Sequence, residues 1–291
     1  MLKVLPQLFY ENPDIKKILV DGLSCAVYKK LEDPVWHKEG YVSAHAITLV
    51  MKGMLRIEND RGLFAEIPAN KMVFLPKGLY TISDIIPSGG SFEAMVFFFD
   101  KELISDFVNS LRLAPGKNKC ISHLLLDVPD RIRLFSESLM QIYGDQRAPR
   151  QLTKIKLLEL LHLILASQQS DCFVDALSSL NNKERRGLRE FMNANFSKPL
   201  AIEDYAYLTG RTLSTFRRDF KTQFGISPKQ WLIEQRLQKA FELLSRNKTT
   251  ISEVVSETGY ENIPHFIKEF HKKYGLPPKQ FLIQSRKAAL V

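Results

Sequence analysis

The chain has 291 residues, 45% of them hydrophobic and 25% charged, with a formal net charge of +9; the length suits two domains and the balance suits a soluble globular protein. No apolar run reaches the roughly 18 residues a membrane-spanning helix needs, and Met1-Leu2-Lys3-Val4-Leu5-Pro6 lacks a secretory core and cleavage site, so a cytoplasmic protein without a membrane partner is expected. Cys25, Cys120 and Cys172 follow no metal or disulfide spacing, and packing is their expected role.

The charge is unevenly placed. Residues 183–291 hold 20 Lys and Arg against 11 Asp and Glu, whereas residues 1–182 hold 21 of each. A positive excess confined to one part of the chain is the electrostatic footprint of a phosphate-backbone binder.

Residues 1–20 show no clear periodicity. From residue 23 to 99, short β-like runs are predicted at 24–29, 43–51, 54–58, 62–67, 72–75, 80–86 and 92–99, divided by turn signals such as Lys52-Gly53 and Pro76-Lys77-Gly78. Such spacing points to a sandwich or barrel. Phe97-Phe98-Phe99 is continuous rather than alternating, which predicts a strand covered on both sides. Phe64, Phe74, Tyr80, Phe92 and Phe97 either fill that core or line a ligand pocket.

The pattern then turns helical. Residues 102–108 carry an apolar i, i+3, i+4 face that ends before Pro115-Gly116. Residues 131–143 place Ile132, Phe135, Leu139 and Ile142 on one side, and residues 152–166 are apolar most of the way round, as in a helix buried on several sides. Residues 168–182 are polar and serine-rich and are expected to be a linker. Residues 183–196 form a further helix with Leu188, Phe191 and Met192 inward.

From Ile202 onward one unit is written twice. Thr209-Gly210, Phe216, Phe220, Gly225, Pro228, Leu232-Ile233 and Arg236 reappear as Thr258-Gly259, Phe266, Phe270, Gly275, Pro278, Leu282-Ile283 and Arg286. The offset is 49 up to the glycine and 50 from the phenylalanine, so the second turn has one residue more. Each copy reads as helix, glycine turn, helix, the helix-turn-helix signature whose second helix enters the major groove of DNA. Thr212, Ser214, Thr215, Arg217, Arg218 and Lys221 are the candidate DNA-contacting residues of the first copy; Asn262, Ile263, His265, Lys268 and Lys272 are those of the second. Arginine can hold a guanine edge at two points, so the first motif is expected to dominate base reading. The paired phenylalanines, Trp231 and Phe281 are core residues, not base-stacking platforms.

At these residues the chain resembles the AraC/XylS family of transcription regulators. The match rests on Arg218-Asp219-Phe220-Lys221, Gly225-Ile226-Ser227-Pro228, Gly259-Tyr260 and Gly275-Leu276-Pro277-Pro278, and covers about residues 183–287. His271 stands where the family usually has a basic residue. The resemblance implies an α+β multidomain protein: a cupin-like N-terminal β-barrel or jelly roll with following helices (residues 1–167, strands about 20–100, helices about 101–167), a linker at 168–182 and an all-α DNA-binding domain at 183–291. It also implies a homodimer, with the contact placed on the third helix at Leu157, Leu160, Leu161 and Ile164; the competing reading has those helices merely capping the barrel. Double-stranded DNA and RNA polymerase are the implied partners, with a small-molecule or protein effector at the N-terminal domain. The expected function is sequence-specific transcription regulation, activation being the expected sign, by a protein that is not an enzyme.

A cupin can hold a metal. Metal-binding cupins use two histidines two apart, a glutamate, and a later histidine. Here His37 and His45 are eight apart and Thr81 stands at the later position, so no metal and no cofactor are expected. A metal-dependent enzyme fused to a DNA-binding domain is the remote alternative. Gly22-Leu23-Ser24-Cys25-Ala26 lacks the closing glycine of a nucleophile elbow, and no catalytic residue is assigned.

Overall fold

The computed structural model describes residues 3–59, 62, 64–88, 90–111, 123–144, 149–180, 185–246 and 249–288. The expected break at Pro115-Gly116, and Cys120, lie outside them. Internal contacts divide the chain into a unit of residues 2–182 and a unit of residues 183–291.

The first unit opens with β1 (Lys3–Leu5), α1 (Gln7–Glu11), β2 (Ile15–Asp21), β3 (Ser24–Leu31), β4 (Val35–Val42), β5 (His45–Lys52), β6 (Met54–Asn59), β7 (Phe64–Pro68), β8 (Lys71–Leu75), β9 (Gly78–Ile85) and β10 (Phe92–Phe99). These, with a later strand, make two facing sheets that do not close into a barrel, ordered β1-β4-β9-β6-β7 and β11-β8-β5-β10-β3-β2. β11 (Leu124–Asp127) pairs with β8 and ends the second sheet. Strands β1, β2, β4 and β11 have no counterpart among the predicted runs. β4 is irregular, with its register shifting between Val35 and Lys38 and four successive exposed residues, so its sequence does not alternate.

Alternation along β10 serves two cores. Phe98, with Phe92, Ala94 and Val96, faces Leu55, Ile57, Ile67 and Tyr80 of the opposite sheet. Phe97 and Phe99 face the other way, toward a helical layer. Every β10 side chain is buried, as the unbroken apolar run predicts. Of the five aromatics that could have lined a pocket, Phe74 and Phe97 belong to the helix-facing core and Tyr80 and Phe92 to the inter-sheet core, while Phe64 is 53% exposed. The inter-sheet space keeps a cavity of about 40 Å³ beside a buried ion pair between Lys29 and Asp84, room for about three waters.

The helical layer holds α2 (Lys101–Ser110), α3 (Asp130–Tyr143), α4 (Arg150–Leu165) and α5 (Ser170–Ser179). Asp100 starts α2 by accepting from the Leu103 N–H at 2.8 Å. α4 lies against β2 and β3 with Leu157, Leu160, Leu161 and Ile164 fully buried. Those four were the expected dimer contact; they are instead the contact of α4 with its own sheet, because an apolar helix packed on a sheet presents its deepest ridge inward. Ile142, expected on the inner face of α3, is 60% exposed, as are Leu134 at 58% and Ile155 of α4 at 56%. Residues 170–179 are not a linker. They form α5, whose Phe173, Ala176 and Leu177 are buried in the same core, with the Phe173 ring edge-on to Phe74 at 5.6 Å.

The second unit is helical throughout: α6 (Leu188–Asn195), α7 (Ile202–Leu208), α8 (Leu213–Phe224), α9 (Pro228–Ser245), α10 (Ile251–Thr258), α11 (Ile263–Tyr274) and α12 (Pro278–Ala288). Among the described residues no helix of either unit is long and apolar enough to cross a membrane.

Candidate nucleic-acid interface

The two repeats fold alike down to single hydrogen bonds. Thr209 and Thr258 are both buried at the end of a first helix, and each hydroxyl donates to carbonyls three and four residues back. Gly210 and Gly259 follow with φ of +70° and +77°, a region open to glycine and costly for residues with a Cβ. Two residues, Arg211 and Thr212, then lead into α8, and three, Tyr260 to Asn262, lead into α11; the extra residue of the second copy sits here. Thr212 and Asn262 are the equivalent N-caps. Thr212 Oγ1 accepts from Thr215 N–H and Asn262 Oδ1 from His265 N–H, and Gly225 and Gly275, both at φ +77°, end the two helices.

Between these caps one face of each helix turns inward and the other to solvent. Phe216 and Phe220 in α8, and Phe266 and Phe270 in α11, are fully buried, each contributing about 2–3 kcal/mol by burial. The outward stripe of α8 is Ser214, Arg217, Arg218 and Lys221, all exposed at i, i+3, i+4 and i+7. Arg218 keeps a long 3.6 Å ion pair with Asp219 while its side chain stays 76% exposed, an association too weak to hold it from another partner. Thr215 is half-buried, and its hydroxyl accepts from Thr212 Oγ1 at 2.9 Å. So Thr212 and Thr215 shape the start of the helix, and the stripe beyond them is the readable surface.

The same stripe on α11 consists of Pro264, Ile267, Lys268 and His271, all exposed. Of the five residues expected on this face, Lys268 alone falls on the stripe. Asn262 is the cap, Ile263 matches the half-buried Leu213, His265 matches Thr215, and Lys272 lies on the flank beside Lys273. Ile267 and His271 were not among the expected contacts. The 50-residue offset already pointed to them, since it carries Arg217 onto Ile267 and Lys221 onto His271.

What holds the two stripes in one unit is α9 and a single loop. The 18 residues of α9 span about 27 Å at 1.5 Å per residue, a length compatible with two helices entering successive major grooves about 34 Å apart. Ser227 caps α9 through Gln230 N–H and Pro228 occupies its first turn. The loop at residues 196–198 receives side-chain bonds from α9 and α7. Arg236 of α9 donates from Nε to Phe196 O and from its terminal nitrogen to Lys198 O, both at 2.8 Å. Tyr205 of α7 donates to Asn195 O and Lys198 O at 3.0 Å; burial pushes its hydroxyl pKa up to about 12, so it remains a donor across ordinary pH. On α11, Lys273 and Tyr274 donate to Glu234 O and Leu237 O of α9. Arg211, nearly buried, clamps the first turn by pairing with Asp219 at 3.1 Å and donating to the Arg186 and Thr209 carbonyls. Its guanidinium is structural, unlike those of Arg217 and Arg218.

In the first unit, His37 is exposed and His45 is buried, with Nδ1 accepting from Lys77 N–H at 3.2 Å. Among the described residues no group of three or more His, Cys, Asp or Glu stands close enough to share a metal ion.

Two protein-family models match the chain: the ExsA N-terminal regulatory domain over residues 45–176 and a helix-turn-helix domain over residues 205–284. The chain is 26% identical over 233 residues to the virulence regulon transcriptional activator VirF of Yersinia enterocolitica, covering 77% of this chain and 83% of that protein. It is 29% identical over 118 residues to the HTH-type transcriptional regulator ExsA of Pseudomonas aeruginosa, covering 40% of this chain and 42% of that one. Among solved structures, an apo form of a singly substituted ToxT of Vibrio cholerae is similar with a TM-score of 0.45 and 13% identity, over 91% of this chain and 98% of that one.

Proposed function

We propose that this chain, which matches an ExsA N-terminal regulatory domain and a helix-turn-helix domain, is an AraC/XylS-type regulator: a cytoplasmic, sequence-specific DNA-binding activator that acts as a homodimer. The observation that carries the DNA-binding reading is the exposed Ser214–Arg217–Arg218–Lys221 stripe on a capped second helix of a helix-turn-helix. Its exposed arginines are free to meet base edges, and the basic excess of the second unit supplies affinity for phosphates. Activation is supported by the transcriptional activator to which the chain is similar over most of its length, and RNA polymerase is the further partner proposed for that role.

Control through the first unit is assigned to a protein surface rather than to an enclosed small molecule. The inter-sheet cavity of about 40 Å³ is far below the several hundred Å³ usual for a ligand pocket. Leu134 and Ile142 of α3 and Ile155 of α4 are large apolar side chains each more than half exposed, and they support a reading in which a second copy packs against these two helices.

Substituting Arg217 or Arg218 by Ala tests the main reading. Each change is expected to weaken binding to a selected duplex by about 1–3 kcal/mol and to relax base preference at one position, read by fluorescence anisotropy on matched and mismatched duplexes. Binding and base preference unchanged in both variants would remove α8 from the major groove.

A further inference from the structure

The two second helices share one register but offer different chemistry at the same place. Where α8 presents Arg217, α11 presents Ile267, 39% exposed and outside the apolar core that takes up its neighbours Phe266 and Phe270. Lys268 and His271 share its exposed stripe, and Lys272 and Lys273 stand on the flank of the same helix. A solvent-facing isoleucine gains nothing in the free protein, and its β-branched side chain is stiff. Set in a basic rim it fits a small apolar group carried by a polyanion. In the major groove the base edges offer one such group, the C5-methyl of thymine, whereas guanine, cytosine and adenine offer only donors and acceptors at their edges.

We propose that α11 reads its DNA element through contact between Ile267 and a thymine methyl, with Lys268 and Lys272 on the adjacent phosphates, while α8 reads the other element through arginine. This rests on the DNA-binding reading above and deepens it. The two elements of one site then differ in kind: one is specified by hydrogen bonds to a guanine edge, the other by a methyl group. Pro264, at the stripe's first position, supports this division because it brings no hydrogen-bonding side chain where Ser214 stands in the first motif.

Replacing thymine by deoxyuracil deletes the methyl and leaves base pairing and the O4 acceptor intact. Duplexes bound by the full-length chain would first be selected from a random library. Each thymine of the bound site would then be exchanged for deoxyuracil, and binding measured for the unmodified chain, Ile267→Ala and Arg217→Ala. The expected result is a loss of about fourfold at one or two thymines, the effect of one buried methyl. That loss should vanish in Ile267→Ala, which binds the thymine duplex more weakly, and should persist in Arg217→Ala. A scan with no loss at any thymine, or a loss of equal size in Ile267→Ala, overturns the methyl contact while leaving arginine reading by α8 intact. Selection that yields no preferred duplex would instead overturn sequence-specific binding itself.

Discussion

Gly225 and Gly259 both sit at φ +77°, yet a methyl group added at each meets different surroundings. At Gly225 nothing lies within 4 Å, whereas at Gly259 the Ser197 carbonyl oxygen would stand 2.4 Å away. Gly225→Ala is therefore expected to cost only the backbone strain of an alanine in the left-handed region, about 1 kcal/mol. Gly259→Ala adds a clash with main chain that cannot swing aside, because residues 196–198 are tied down by Arg236 and Tyr205, and is expected to cost about 3 kcal/mol or more. Thermal unfolding of the two variants measures the difference; equal losses would refute the clash. Both glycines were legible as turn residues from the repeat, but the approach of Ser197 joins points 62 residues apart in sequence, and no local pattern encodes it.

α5 shows how an element escapes a reading by composition. Its sequence, Ser-Asp-Cys-Phe-Val-Asp-Ala-Leu-Ser-Ser, is half polar and lies within a serine-rich stretch, which suggests a linker. Yet Phe173, Ala176 and Leu177 recur at i, i+3 and i+4 and are fully buried. Phe173→Ala is expected to destabilise the first unit by about 3–5 kcal/mol, as large-to-small changes in a core do, and to expose residues 170–179 to limited proteolysis. A true linker would be indifferent to the change. α4 erred in the opposite sense. Apolar residues nearly all round it make its inner and outer faces look alike, so only the position of the sheet separates the buried Leu160 from the exposed Ile155.

At the scale of the whole molecule, one part of the chain is nearly neutral and the other carries the entire positive excess, matching the division into units at residues 182 and 183. The proposed DNA contact and the proposed self-association thus fall in separate units. The double substitution Leu134→Asp with Ile155→Asp changes exposed positions and should leave the monomer folded, while placing charge in the proposed contact between copies. Sedimentation velocity is expected to show a dimer for the unmodified chain and a monomer for the variant. A dimer that survives would move the contact elsewhere.

The sequence by itself determined the repeat, its offset of 49 and then 50, the two glycine turns, the inward phenylalanine pairs, the arginine-bearing stripe of α8 and the β-rich nature of the first half. All of these are periodic or adjacent along the chain, so local geometry suffices to read them. The tertiary structure alone decided that the strands form two sheets, that Phe97 and Phe98 serve different cores, that α5 belongs to the first unit, and that α4 spends its leucines on its own sheet. Which faces of an apolar helix or strand are covered depends on what lies across from them, and that is settled by contacts between residues far apart in the sequence. Ile267 stands between the two: its place was written in the repeat, and its exposure emerged when α11 turned Phe266 and Phe270 inward.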